Sequence, residues 1–329
     1  INATYPSMAH LWSEWYNGYA RAEFPSLLVR AEDLIFFPEQ VTRKVCECAG
    51  GKMKERFSLV QEDLKTKHFL SAKESRDMSS MMIRYGSGTN RTKQMTKDDL
   101  EYAKIHLDSA LMKMYGYHHL NELEPSMPNA PSTSQTKQAT KIIKSKPHQP
   151  LIDLLYLAGQ KVSNSDLNQL PHWDTVTSVI GASRPIIFGL EQCSSLNQQE
   201  TILAVAGLFN SGTSHLYSLL HSNCDIKSEK YTNKMSLPQE RLRMQVPWGV
   251  HELATMRGRS KPRFLDNNWN LKQVLPVVTI RDPYTWMQSL CQHNCRYHKL
   301  TLTLLKASWR RAQQLMASRA DAIRAVAAE

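Results

Sequence analysis

Large apolar side chains recur at helical spacing from the start of the chain. Leu11, Trp12, Trp15 and Tyr16 fall at i, i+3 and i+4 and predict an aromatic-faced helix over residues 9–22. Pro25 interrupts that pattern, and Leu27, Leu28 and Val29 make a short apolar strand. Pro38 then opens a second helix with Val41 and Val45 on its inner face, ended by the pair Gly50 and Gly51. A third helix is predicted over 98–115, where Leu100, Ala103, Leu107, Leu111 and Met114 repeat behind Thr96 as N-cap. Between 124 and 150 Pro, Ser, Thr, Gln and Lys dominate and no period survives, the pattern of a flexible linker. A short helix over 151–158 follows. Strand chemistry resumes at 184–188 and 201–206, the second of these leading into a helical run at 215–221. Another apolar strand, 275–280, runs into a helix through Trp286 and Leu290.

Apolar strands each followed by a helix predict an α/β fold, a doubly wound parallel sheet with its site at the carboxyl ends of the strands. The first such junction is Gly207, Leu208, Phe209, Asn210, Ser211, Gly212, Thr213, Ser214. Loop N–H groups and the positive end of the following helix converge there, an arrangement that favours an oxyanion without requiring a charged side chain. Gly207 and Gly212 have the spacing of a Walker A loop, but Thr213 stands where a nucleoside triphosphatase needs lysine. The second junction places Arg281 at a strand end and Ser289 two helical turns later, a guanidinium and a hydroxyl able to grip a second phosphate.

Taken together, the GLFNSGTS loop, the strand ending in Arg281 and Ser289 eight residues on resemble the signature of sulfotransferases that use 3′-phosphoadenosine 5′-phosphosulfate. The resemblance implies the P-loop-like sulfotransferase fold and transfer of a sulfonate group to the hydroxyl of a small-molecule or carbohydrate acceptor. By position, Gly207, Asn210, Ser211, Gly212, Thr213 and Ser214 would cradle the phosphosulfate, and Arg281 and Ser289 the 3′-phosphate. His251 is the first candidate for the base that takes the acceptor's proton and Glu252 the second, because both lie between the two donor motifs, where the family carries such a residue. Asn210 occupies the place of a frequent Lys or Arg, supplying a hydrogen bond to the bridging oxygen but no charge; Lys227 and Lys230 are the nearby cations. The amino-terminal third resembles the family's closing portion: VRAEDL at 29–34 is similar to its late strand, with Ala31 where Tyr or Phe is usual. Arg84, Tyr85, Gly86 and Arg91 are similar to its end, which adds Arg84 and Arg91 as 3′-phosphate ligands. The order expected is therefore a closing half (1–123), a largely flexible linker (124–179), an opening half with the donor motifs (180–309) and a helical tail (310–329), the two permuted halves pairing into one domain.

Composition adds limits. There are 41 Lys and Arg against 30 Asp and Glu, a formal charge of +11, and the resulting field attracts anions; no nucleic-acid motif accompanies it, and Lys137, Lys141, Lys144 and Lys146 read as linker solvation. Six cysteines are too few and too irregular for a disulfide scaffold. Cys291, Cys295 and His298 share a helical face that His293 does not, which argues against a metal cluster, so no metal is expected. No apolar run is long enough to span a bilayer. Ile1 without a leader suggests a natural start upstream, and the resemblance allows a Golgi-lumenal or membrane-attached location. Two rival functions remain: a nucleotide- or glycan-binding remnant without catalysis, and a P-loop kinase or triphosphatase.

Overall fold

A computed structural model of the chain describes residues 5–59, 78–93, 95–119, 147–162, 164–232, 238–258 and 270–294. Its centre is a five-stranded sheet built from β1 (Leu27–Arg30), β3 (Ile187–Phe188), β4 (Ile202–Gly207), β8 (Leu242–Arg243) and β9 (Val274–Ile280), in the order β3-β1-β9-β4-β8. The strand from the first part of the chain is thus an interior strand of a sheet otherwise made by the second. Leu27 to Arg30 pair in parallel with Val277 to Ile280, and Ile202 to Gly207 pair in parallel with Val274 to Thr279. β3 runs antiparallel to β1, so the sheet is mixed where an all-parallel one was expected. β1, β4 and β9 are buried along their whole length, as strands covered on both faces must be.

Alternation along these strands sorts the core into two layers. Leu28, Ala204, Ala206, Val278 and Ile280 face α1 (Met8–Ala20), α5 (Lys97–His106), α6 (Ser109–Met114) and α11 (Pro283–Asn294). Leu27, Val29, Leu203, Val205 and Val277 face the other layer, made by α3 (Pro38–Cys48), α4 (Met78–Gly86), α7 (Gln149–Leu157), α9 (Trp173–Ile180) and α10 (Thr213–Asn223). α2 (Asp33–Phe36) is a single turn after β1, and α8 (Asn164–Gln169) precedes α9. Two small pairings complete the described structure. β2 (Lys52–Met53) lies against β5 (Cys224–Asp225), and β6 (Lys227–Thr232) against β7 (Pro238–Glu240). Among the described residues no helix is long and apolar enough to cross a membrane.

Two expectations about helices change. The helix predicted over 98–115 is two helices. Leu107 is extended, and the Asp108 carboxylate caps the second helix by accepting from the Leu111 amide at 2.9 Å, while Thr96 and Asp99 form a capping box on the first. The helix expected over 151–158 is present as α7, while the following stretch to 179, grouped with the linker, carries α8 and α9, because Val176 and Ile180 supply apolar surface to dock on the sheet. The remaining linker, at 120–146, and the tail at 310–329 lie outside the described residues, as do Cys295 and His298; Cys291 and His293 fall in the last turn of α11.

The cysteines also pair. Cys46–Cys224 and Cys48–Cys193 are disulfides, each joining α3 to the later part of the chain. Spacing did not reveal them, since the partners are 178 and 145 residues apart. In the chain-entropy account a loop of that length makes each bond worth about 5 kcal/mol. Gly51 packs on the first of them, where a Cβ would lie 2.7 Å from the Cys224 sulfur and 2.8 Å from that of Cys46. Cutting the chain at an engineered protease site near Ser134 is expected to leave one covalent species on a non-reducing gel and two fragments after reduction. Two fragments without reductant would contradict the pairing.

Candidate functional site: an oxyanion loop beside a buried arginine

The loop between β4 and α10 begins at Gly207 and turns through Asn210, which is left-handed at φ 60°, and Gly212, at φ 90°. Gly207 has no room for a side chain: a Cβ would strike the Thr279 and Ser211 hydroxyls and the Thr213 methyl. Gly212 has space, its nearest neighbours being Ala31 and Leu34 at 3.5 and 3.8 Å, so the need for glycine there is conformational. Ser211 is fully buried. Its hydroxyl donates to the Leu208 carbonyl at 2.7 Å and shares a hydrogen bond with Thr279 at 2.8 Å, so it braces the loop against β9. Thr213 and Ser214 open α10, where the first N–H groups of an eleven-residue helix have no intrahelical partner.

Arg281, at the end of β9, reaches this loop. Its Nη1 donates to the Asn210 carbonyl at 2.7 Å, and its guanidinium lies over the Tyr85 ring at 5.0 Å from the centroid. The residue is 5% exposed, yet Nε and Nη2 have no hydrogen-bond partner among the described residues. Those two nitrogens form the side-on edge that grips a carboxylate or phosphate through two parallel bonds. Arg30 shows the same edge in use, with Nε and Nη2 on the two oxygens of Asp33 at 2.9 and 2.6 Å. Ser289 is buried on α11, in line with its expected place two turns beyond the strand.

His251 meets the first part of the loop. Its Nδ1 is 2.6 Å from the Gly207 carbonyl and its ring stacks on Phe209 at 3.7 Å. A carbonyl can only accept, so Nδ1 carries the proton and a neutral ring has its lone pair on Nε2, the form a general base needs. Glu252 packs against Gly249. Lys227 sits exposed in β6, 3.9 Å from Asp225. Arg84 is half-buried on α4. Arg91 is largely engaged inside the fold: Nη2 binds the Asp282 carboxylate and the His118 carbonyl, leaving Nη1 buried without a hydrogen-bond partner.

Sequence reasoning passed over the polar bed under this site. Asp282 donates its amide to Glu32 at 3.0 Å, and the Tyr117 hydroxyl donates to the other Glu32 oxygen at 2.9 Å. Glu32, Tyr85, Arg91, Tyr117, Ile180 and Thr285 line a pocket there. Burial pushes the Glu32 carboxyl up from its ordinary range, and the nearby charge of Asp282 adds to the effect. A carboxyl raised on folding binds its proton more tightly in the native state, so its contribution to stability falls as pH rises from the unfolded value, about 4.3, through the folded one. Glu32→Gln removes that titration. Urea unfolding of both proteins across this range should show wild type losing stability relative to the variant as pH rises; a difference constant with pH would contradict it. Compared with protein-family models, curated proteins and solved structures, the chain has no significant match in any of the three.

Proposed function

We propose that the chain binds 3′-phosphoadenosine 5′-phosphosulfate and transfers its sulfonate group to an acceptor hydroxyl, the two permuted halves of a sulfotransferase-type domain having paired to make one site. The observation that carries this reading is the unpartnered side-on edge of Arg281, 5% exposed, against a glycine-shaped loop at the amino end of α10. A buried guanidinium edge without a partner is costly unless an oxyanion meets it. The missing Walker lysine, with Thr213 in its place, favours a donor held by backbone and hydroxyl groups over a metal-bound triphosphate.

In this reading the loop amides, Thr213 and Ser214 hold the phosphosulfate, and Arg281 with Ser289 holds the 3′-phosphate. His251 Nε2 takes the proton as the acceptor oxygen bonds to sulfur, the bond from sulfur to the bridging oxygen breaks, and 3′-phosphoadenosine 5′-phosphate departs. Loop amides stabilise charge on the departing phosphate. A second reading, donor binding without turnover, is favoured by Asn210, which brings no cation to the loop.

Calorimetry with 3′-phosphoadenosine 5′-phosphate should show binding by wild type and a loss of about 1.5 to 3 kcal/mol in Arg281→Ala. Preferential binding of ATP with Mg²⁺ would overturn the reading in favour of a triphosphatase. Loss of sulfonate transfer in His251→Ala with nucleotide affinity retained is the expected result for the base, the general-base term being about 10²- to 10⁴-fold. A wild-type protein that binds the nucleotide and transfers nothing to any hydroxyl acceptor would select the second reading.

A further inference from the structure

Arg281 is held in two directions. The Asn210 carbonyl fixes Nη1 from one side, and the ring of Tyr85 lies against the guanidinium at 5.0 Å. These contacts come from opposite parts of the chain, the loop at 207–214 and helix α4 at 78–86. Together they leave Nε and Nη2 as the edge without a protein partner.

The segment carrying Tyr85 is itself fixed. Next to it, Gly86 presses on α9, where a Cβ would meet the side chains of Pro171 and Val176 at 2.9 Å. Beyond the helix, the Asn90 side chain donates back to the Ile83 carbonyl at 3.3 Å, and the Gln288 amide of α11 donates to the Arg91 carbonyl. The ring is therefore anchored both to the helical layer beneath the sheet and to the helix that follows Arg281. Tyr85 also lines the pocket floored by Glu32 and Asp282. A flexible arginine at the end of a strand would turn its fork toward either carboxylate. An aromatic face opposes that rotation and keeps the positive charge stacked and desolvated.

We propose that Tyr85 is a positioning residue for donor binding: its ring, supplied by the first part of the chain, holds Arg281 with the Nε–Nη2 edge presented to an oxyanion of the nucleotide. This rests on the donor reading above and adds to it the residue that makes the arginine selective in orientation. It also makes the anion site incomplete without α4. The ring face acts, not the hydroxyl, so phenylalanine should replace tyrosine and leucine should not.

Two measurements test this. Calorimetric titration with 3′-phosphoadenosine 5′-phosphate should give Tyr85→Phe within about twofold of wild type and Tyr85→Leu about tenfold weaker, the scale of a desolvated cation–π contact. In an Arg281→Ala background Tyr85→Leu should add no further loss. A loss that persists in that background, or none in Tyr85→Leu when Arg281→Ala loses affinity, overturns the proposal. The second measurement needs no ligand: the Nε–H proton resonance of Arg281, identified by its disappearance in Arg281→Lys, is shifted upfield by the ring. It should move downfield in Tyr85→Leu and stay in Tyr85→Phe. An unmoved resonance in Tyr85→Leu also overturns the proposal. A resonance that moves as expected in a protein that binds no nucleotide would leave the stacking intact and refute the donor reading alone.

Discussion

Everything at the carboxyl end of the sheet hangs on the buried pair Arg30 and Asp33, both fully inaccessible. Arg30 grips Asp33 with two bonds and uses its remaining nitrogen on the carbonyls of Tyr115 and Ile180 at 3.1 and 2.5 Å; Asp33 in turn accepts from the amide of Ile186 at 2.8 Å. One ion pair therefore joins the end of β1 to α6, to α9 and to the approach to β3. Burying two charges has a large desolvation cost, and such a pair persists only when its other hydrogen-bonding groups are also satisfied, as these are. Removal of either partner would leave an uncompensated charge in the core, on the order of 3 to 5 kcal/mol. Arg30 also fixes where β1 stops, and with it the position of Ala31 and Glu32 against the loop and Asp282.

A second constraint acts from the opposite layer. Four aromatic residues of α1 bury their rings and hand their polar tips to the segments that carry the candidate site residues. Trp12 donates to the Arg281 carbonyl, Tyr16 to that of Thr279, Trp15 to that of His251 and Tyr19 to that of Glu252, at 2.9 to 3.2 Å. Buried Trp and Tyr need such partners, and here the partners are the backbone of the strand end and of the histidine turn. The side chains named as base and as anion ligand are thus positioned by a helix some 235 to 270 residues earlier in sequence. The loop brings its own geometry, but its neighbours are borrowed.

Local chemistry was legible wherever the cause was local. Pro38 and the Thr96 cap placed helix starts, the apolar runs at 27–29, 201–206 and 275–280 placed the three central strands, and the glycines at 207 and 212 marked the turn that the structure builds there. What failed depended on partners remote in sequence. Cysteine spacing says nothing about bonds closed by tertiary packing, and α9 looked like linker because its apolar residues, Val176 and Ile180, are sparse until the sheet gives them a surface. The brace made by Ser211 was hidden for the same reason: its partner, Thr279, lies on a neighbouring strand far along the chain. The contact of Glu32 with Asp282 has no local signal in the sequence, because only the parallel pairing of β1 with β9 brings the two together.

The insertion of β1 between β3 and β9 also dictates when this protein can fold. Leu27 finds its partner in Val277, so a growing chain carries a largely apolar strand whose parallel neighbour arrives only when almost the whole sheet has been synthesised; until then its one sheet partner is the two-residue β3. At roughly 5 to 20 residues per second that wait is on the order of tens of seconds. During it Leu27, Leu28 and Val29 are an open template for the wrong strand, and the slow step is the search for a contact distant in sequence. A topology that sets a strand from the first part of the chain inside a sheet made by the later part thereby depends on protection of that nascent strand, in a way that a sheet read in consecutive order does not.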